Sequence, residues 1–146
     1  MITKFKQQIS LPYSLHDMVI NNITLKNNSV NLEFEHGFTN SKEPYTQVDG
    51  KITIENVDIN SACILLLSPL GKYGNFNGTK ISLNNFIRKY SQYHFEIIDE
   101  MYGYNQIEYI GYLYLPQNND PTQISLSMHN NNRHSLNCNL YNRSFK

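Results

Sequence analysis

The chain has 146 residues, a length that suits one domain (1–146) with one full hydrophobic core. Twelve Lys+Arg balance twelve Asp+Glu, which argues against a surface that tracks nucleic-acid phosphates, because such surfaces carry a basic excess. The longest apolar run, Ala62 to Leu67, is far too short to span a membrane, and Met1 to Leu11 lacks the apolar stretch of a secretory signal; a cytoplasmic protein with no membrane or nucleic-acid partner is expected.

In chain order, the first clear element is a hairpin from Val19 to His36. Asn27-Asn28 suits a type I′ turn, which needs positive φ at both central residues. That turn sets Leu25 against Val30, Ile23 against Leu32 and Asn21 against Phe34. Thr24, Lys26, Ser29, Asn31, Glu33 and Glu35 fall on the other, polar face. Thr39 to Pro44 is polar and reads as loop. Tyr45–Val48 and Lys51–Glu55 flank Asp49-Gly50, which either turns a hairpin or interrupts one long strand. Ala62 to Leu67 is apolar on both faces, as a central strand would be.

Ser68 to Lys80 carries Pro69, Gly71, Gly74 and Gly78 and reads as a loop, either a plain connector or a lid. Ser82 then caps a short helix, Leu83 to Tyr90, with Leu83, Phe86, Ile87 and Tyr90 on one side. Tyr93–Met101 and Ile107–Leu115 form a second hairpin around Gly103-Tyr104-Asn105. Phe95 faces Leu113, Ile97 faces Gly111 and Met101 faces Ile107. The opposite face pairs His94 with Tyr114, Glu96 with Tyr112, Ile98 with Ile110 and Glu100 with Glu108. The last pair is like-charged and counts against this register. A final hairpin around Asn131-Asn132-Arg133 pairs Met128 with Leu136, Leu126 with Cys138 and Ile124 with Leu140. The fold class expected is mainly β: an antiparallel sandwich or curled barrel of about eight or nine strands with one short α-helix.

Chemistry concentrates on one face of the second hairpin. His94, Glu96, Tyr112 and Tyr114 share it. Tyrosine offers flat apolar area with a hydroxyl at low entropic cost, and His with Glu adds a titratable pair. The alternative is that this face packs beneath a second sheet or the helix, a reading that Ile98 opposite Ile110 favours. Asp99 falls on the apolar face opposite Tyr109, where a carboxylate is desolvated and either marks a site or is satisfied by the phenol. Leu15-His16-Asp17 suits a turn better than a metal site, for no third ligand stands at a diagnostic spacing. Glu33 and His36 match E-x-x-H by letters, but on a strand they point to opposite faces. Cys63 and Cys138 lack C-x-x-C spacing and read as small buried thiols. No metal, cofactor or catalytic residue is expected.

Leu15-His16-Asp17, followed by Ile20, Ile23, the Asn27-Asn28 turn and Val30-Asn31-Leu32-Glu33-Phe34, resembles the start of several small bacterial β-rich domains. Some of these are similar to immunity proteins of toxin systems. The resemblance implies a non-enzymatic protein that binds another protein. The expectation is therefore a binding or assembly module, engaging a protein partner or its own copy through His94, Glu96, Tyr112 and Tyr114. Two alternatives stand beside it. One is a small-ligand pocket or hydrolase-like enzyme at a barrel end using His94, Glu96 or Asp99. The other is a structural subunit of a phage or cell-surface assembly.

Overall fold

A computed structural model describes residues 13–69, 78–130 and 138–140. The elements are β1 (Tyr13–Ser14), β2 (Met18–Lys26), β3 (Ser29–Phe34), β4 (Phe38–Asn40), β5 (Gln47–Val48), β6 (Lys51–Ile54), β7 (Cys63–Pro69), β8 (Thr79–Ser82), α1 (Leu83–Tyr90), β9 (Phe95–Gly103), β10 (Gln106–Leu113), β11 (Thr122–His129) and β12 (Cys138–Leu140). Nine strands form one antiparallel sheet, ordered β12-β6-β3-β2-β9-β10-β11-β7-β8, and β1-β4-β5 form a small second sheet. The fold is mainly β and sandwich-like, and the large sheet does not close into a barrel. The three strands of the small sheet are two or three residues long. Runs that short show no alternation, which is why Thr39 to Pro44 reads as loop.

The large sheet curls on itself. Val57 and Asn130 form an isolated bridge that fastens the end of β6 to the end of β11. The Asp58 N–H donates to the His129 carbonyl (2.8 Å), and the Asn130 side chain donates to the Glu55 carbonyl (3.0 Å). Helix α1 packs against β2 on one side and β7 and β8 on the other, so it bridges the mouth of the curl. Its cap is the expected one: Ser82 Oγ accepts from the Asn85 N–H at 3.3 Å. Leu83 and Phe86 point into the core, and Ser91 just beyond the helix accepts from the Ile23 N–H (3.0 Å). Ile23, Leu32, Ile52, Ile64, Phe86, Phe95, Ile97, Tyr109, Leu113 and Leu126 belong to one continuous core. The small sheet packs on it through Tyr13 and Phe38, whose rings lie 5.6 Å apart, and Phe34, 6.2 Å from Phe38.

The β2–β3 turn has Asn27 at φ 50° and Asn28 at φ 59°, the type I′ geometry that the dipeptide suits. Leu25 pairs with Val30 and Ile23 with Leu32 as expected. Beyond them Asn21 is extra, and Ile20 rather than Asn21 opposes Phe34. This bulge keeps both Ile20 and Ile23 in the core, where strict alternation would have expelled one. Asp49-Gly50 turns no hairpin. The chain there leaves β5 in the small sheet and enters β6 in the large one, the interrupted-strand alternative. Gly37, at φ +75°, makes the preceding turn; a Cβ there would lie 2.0 Å from the Val48 carbonyl oxygen.

Three further expectations are corrected. Strand β7 is not buried on both faces: Ile64 is enclosed, but Leu65 keeps 39% of its surface, because the neighbouring β8 ends the sheet and nothing stacks on that side among the described residues. Ser68 and Pro69 lie within β7, and Thr79 and Lys80 within β8, which pairs with β7, so both ends of the expected loop are strand; positions 70–77, the expected connector or lid, are outside the described residues. Strand β12 pairs with β6, Cys138 opposite Ile54 and Leu140 opposite Ile52, not with β11. Both edges of β11 are already taken by β10 and β7. The loop expected at 131–133, with His134 and Leu136, lies outside the described residues.

Candidate functional site

The β9–β10 hairpin follows the expected register at its open end. Phe95 pairs with Leu113, Glu96 with Tyr112 and Ile97 with Gly111. Phe95, Ile97 and Leu113 are fully buried, so Glu96 and Tyr112 point outward. Tyr114 follows on the same side, its N–H donating to the His94 carbonyl at 2.9 Å. The Tyr114 hydroxyl donates to the Glu96 carboxylate. That bond, with some burial and the neighbouring negative charge, pushes the Tyr114 phenol up to about 12, because a tyrosinate would face a carboxylate. Tyr114 nevertheless keeps 44% of its surface exposed, and Tyr112 is half-buried. The face is therefore not packed as an interior.

The row extends across β2. Val19 pairs with Glu96, and the Glu35 N–H donates to the Val19 carbonyl (2.9 Å). This brings Glu35 beside His94, Nδ1 to Oε2 at 3.9 Å, and beside His36, Nε2 to Oε1 at 4.0 Å. Such exposed pairs orient side chains and add little stability. Between the turn after α1 and the end of β10 lies an open notch of ≈ 290 Å³, lined by Gln92, Tyr93, His94, Tyr114, Leu115 and Pro116. Its inner wall is backed by aromatic rings. Tyr93 stacks near Tyr90, with centroids 6.2 Å apart, and Tyr90 near the buried Phe86, at 5.5 Å.

Past Ile97 the expected register fails. Ile98 is an extra residue in β9, so Asp99 pairs with Ile110, Glu100 with Tyr109 and Tyr102 with Ile107. The turn shortens to Tyr104-Asn105, with Asn105 at φ 56°. Asp99 is exposed on the outer face and accepts from the Glu100 N–H (2.9 Å). It is not the desolvated carboxylate; Glu100 takes that place. Glu100 accepts from the Leu15 N–H at 2.9 Å and from the Tyr102 hydroxyl at 2.6 Å, and the Tyr102 and Tyr109 hydroxyls lie 3.5 Å apart. Burial raises the Glu100 carboxyl above the ordinary glutamate value, against those two hydrogen bonds that pull it down. Burial likewise pushes the Tyr102 phenol well above the usual tyrosine value. The Ile98–Ile110 pair that argued for a covered face does not form.

Glu100, Tyr102 and Glu35 are the polar residues that alternation alone missed. The signal for the first two was the like-charged pairing of Glu100 with Glu108, which one extra residue in β9 relieves. Glu108 instead accepts from Ser125 Oγ (2.6 Å). His16 and Asp17 form an exposed pair at 3.0 Å in the turn before β2, Asp17 at φ 62° with its N–H on the Ile97 carbonyl. Glu33 bonds to Asn22 and His36 lies by Glu35, so the E-x-x-H letters make no site. Among the described residues no cluster of His, Cys, Asp and Glu has the geometry of a metal site, and Cys63 is half-exposed rather than buried. No described helix is long and apolar enough to cross a membrane. No family model, curated protein or solved structure matches the chain.

Proposed function

We propose that this protein is a non-catalytic binding or assembly module, and that the outward face of β9 and β10, carrying His94, Glu96, Tyr112 and Tyr114, is its contact surface for a protein partner or a second copy. The observation that carries this reading is the half-open state of two tyrosines on a regular sheet face beside an aromatic-walled notch. Aromatic side chains held in place before contact lose little freedom on binding, and they anchor many interfaces. The enzyme alternative has less support. His94 borders an open notch rather than an enclosed cavity, Glu96 is bonded to Tyr114 on the outer face, and Asp99 is exposed.

The test uses a photo-crosslinking residue introduced at Gln92, on the rim of the notch, with one at the exposed Thr24 as control, in cells expressing the full chain. The expected result is a defined protein adduct at position 92 that Tyr112→Ala abolishes while the unfolding midpoint holds. Should Tyr112→Ala unfold the chain, the more exposed Tyr114→Ala takes its place. Identical adducts at both positions, with a monomer by light scattering, would overturn the proposal.

A further inference from the structure

Resting on that reading, we infer that the notch between Tyr93 and Tyr114 is the anchor pocket for one cationic side chain, an arginine or lysine, of a protein partner. Three observations converge there. The rings of Tyr93 and Tyr114 line a space of ≈ 290 Å³ together with Leu115 and Pro116. Ring faces attract guanidinium and ammonium groups, and apolar walls suit the methylene stem. Just outside the notch, the Glu96 carboxylate accepts from the hydroxyl of its wall residue Tyr114, and Glu35 lies beside its wall residue His94. A carboxylate that accepts one phenol hydrogen keeps further acceptor sites for a cation.

The third observation is local charge. The Glu96 and Glu35 carboxylates lie on the outward face beside the notch, while Arg88 on α1 turns back to Asn85 at 2.9 Å. A cationic side chain meets a favourable local field there. Tyr93 is braced by Tyr90 and Phe86, and Tyr114 by Glu96, so the pocket walls are set before the cation arrives.

The experiment titrates the full chain, labelled with ¹⁵N, with the peptide acetyl-Gly-Arg-Gly-amide and its citrulline counterpart, which has the same shape without the charge. The arginine peptide should shift the amide signals of His94 and Tyr114 saturably, with affinity falling as salt rises. The citrulline peptide should leave them in place. Glu96→Gln should weaken binding about tenfold, equivalent to about 1.4 kcal/mol. Tyr114→Phe, which keeps the ring, should retain most of it. Equal shifts from both peptides, or none from either, would overturn the cationic anchor. If a position-92 adduct is still lost in Tyr112→Ala while the arginine peptide causes no shift, the face remains the contact surface and only the anchor fails. If the peptide binds but no adduct forms, the anchor holds and the protein-binding reading fails. An adduct composed only of two copies of this chain also counts against the basic partner.

Discussion

Gly111→Ala probes the bulge on which the division between inner and outer carboxylates rests. Gly111 pairs with Ile97 immediately before the extra residue Ile98. A Cβ on Gly111 would lie 1.8 Å from the Glu96 carbonyl oxygen and 2.9 Å from Phe95 Cε2. To reach the about 3.3 Å of a close C–H···O contact, that carbonyl would have to retreat by about 1.5 Å. It belongs to the backbone of a central strand, so no side-chain rotation relieves the clash. Overpacking costs about 1–3 kcal/mol, and two displaced ladder hydrogen bonds add about 1 kcal/mol each. The expected loss is about 3–5 kcal/mol, a large share of the about 5–15 kcal/mol that holds a domain folded. In urea, with a slope of about 2 kcal/mol per molar, the midpoint falls by about 1.5 M or more. Gly103→Ala is the control, since its Cβ would meet only Gln106 Cβ at 3.8 Å; its expected change is within about 0.5 kcal/mol. A Gly111→Ala midpoint as close to wild type as that of the control would refute the close approach and the bulged register with it.

Glu100→Gln separates the buried carboxyl from its exposed neighbour. A carboxyl raised above its unfolded value of 4.5 favours folding below that pH, and its contribution is lost as pH climbs through the raised folded value. The glutamine carbonyl can keep the bond from the Leu15 N–H, and its NH2 then donates to the Tyr102 hydroxyl, whose own hydrogen can turn to the Tyr109 hydroxyl, so the site stays hydrogen-bonded without the buried charge. Urea midpoints should therefore show the variant more stable than wild type at pH 7, the gap closing below pH 4.5; parallel curves would refute the assignment. Asp99→Asn should move neither curve by more than about 0.5 kcal/mol, because Asp99 is exposed. Ser82→Ala removes the oxygen that accepts from Asn85 and should cost about 1 kcal/mol in the same assay; an unchanged midpoint would mean that the cap contributes nothing to docking α1.

Local signals in this sequence were legible where one interaction fixes the geometry. Asn27-Asn28 dictates its turn, and Ser82 ahead of an apolar stripe dictates the start of α1. Partnering at a distance was not legible. The apolar positions of 124–128 and 136–140 are compatible with a hairpin, and nothing local reveals that β7 and β10 already occupy both edges of β11. Strand β7 reads as a doubly buried strand because Leu65 and Leu67 are apolar, yet whether a second layer covers its outer face is a property of the whole fold. The strands of the small sheet are held by tertiary packing of Tyr13, Phe34 and Phe38, which a run of two or three residues cannot announce.

A bulge is the hardest feature to read because it costs the pattern one residue and then restores it. Up to Ile97, alternation sets Glu96 outward with Tyr112, and that part of the candidate face follows from period two alone. One residue later the parity has reversed: Ile98 is extra, Asp99 faces water and Glu100 enters the interior beneath Leu15. The clue was energetic rather than periodic, since an uninterrupted register forces Glu100 against Glu108 while it buries Asp99. The bulge relieves both conflicts at once. Glu108 gains Ser125, and the single carboxyl that goes inside meets a backbone N–H and a phenol. The inserted residue thus decides which acid is buried and leaves the outward set of His94, Glu96, Tyr112 and Tyr114 untouched, because all four lie on the open-end side of it.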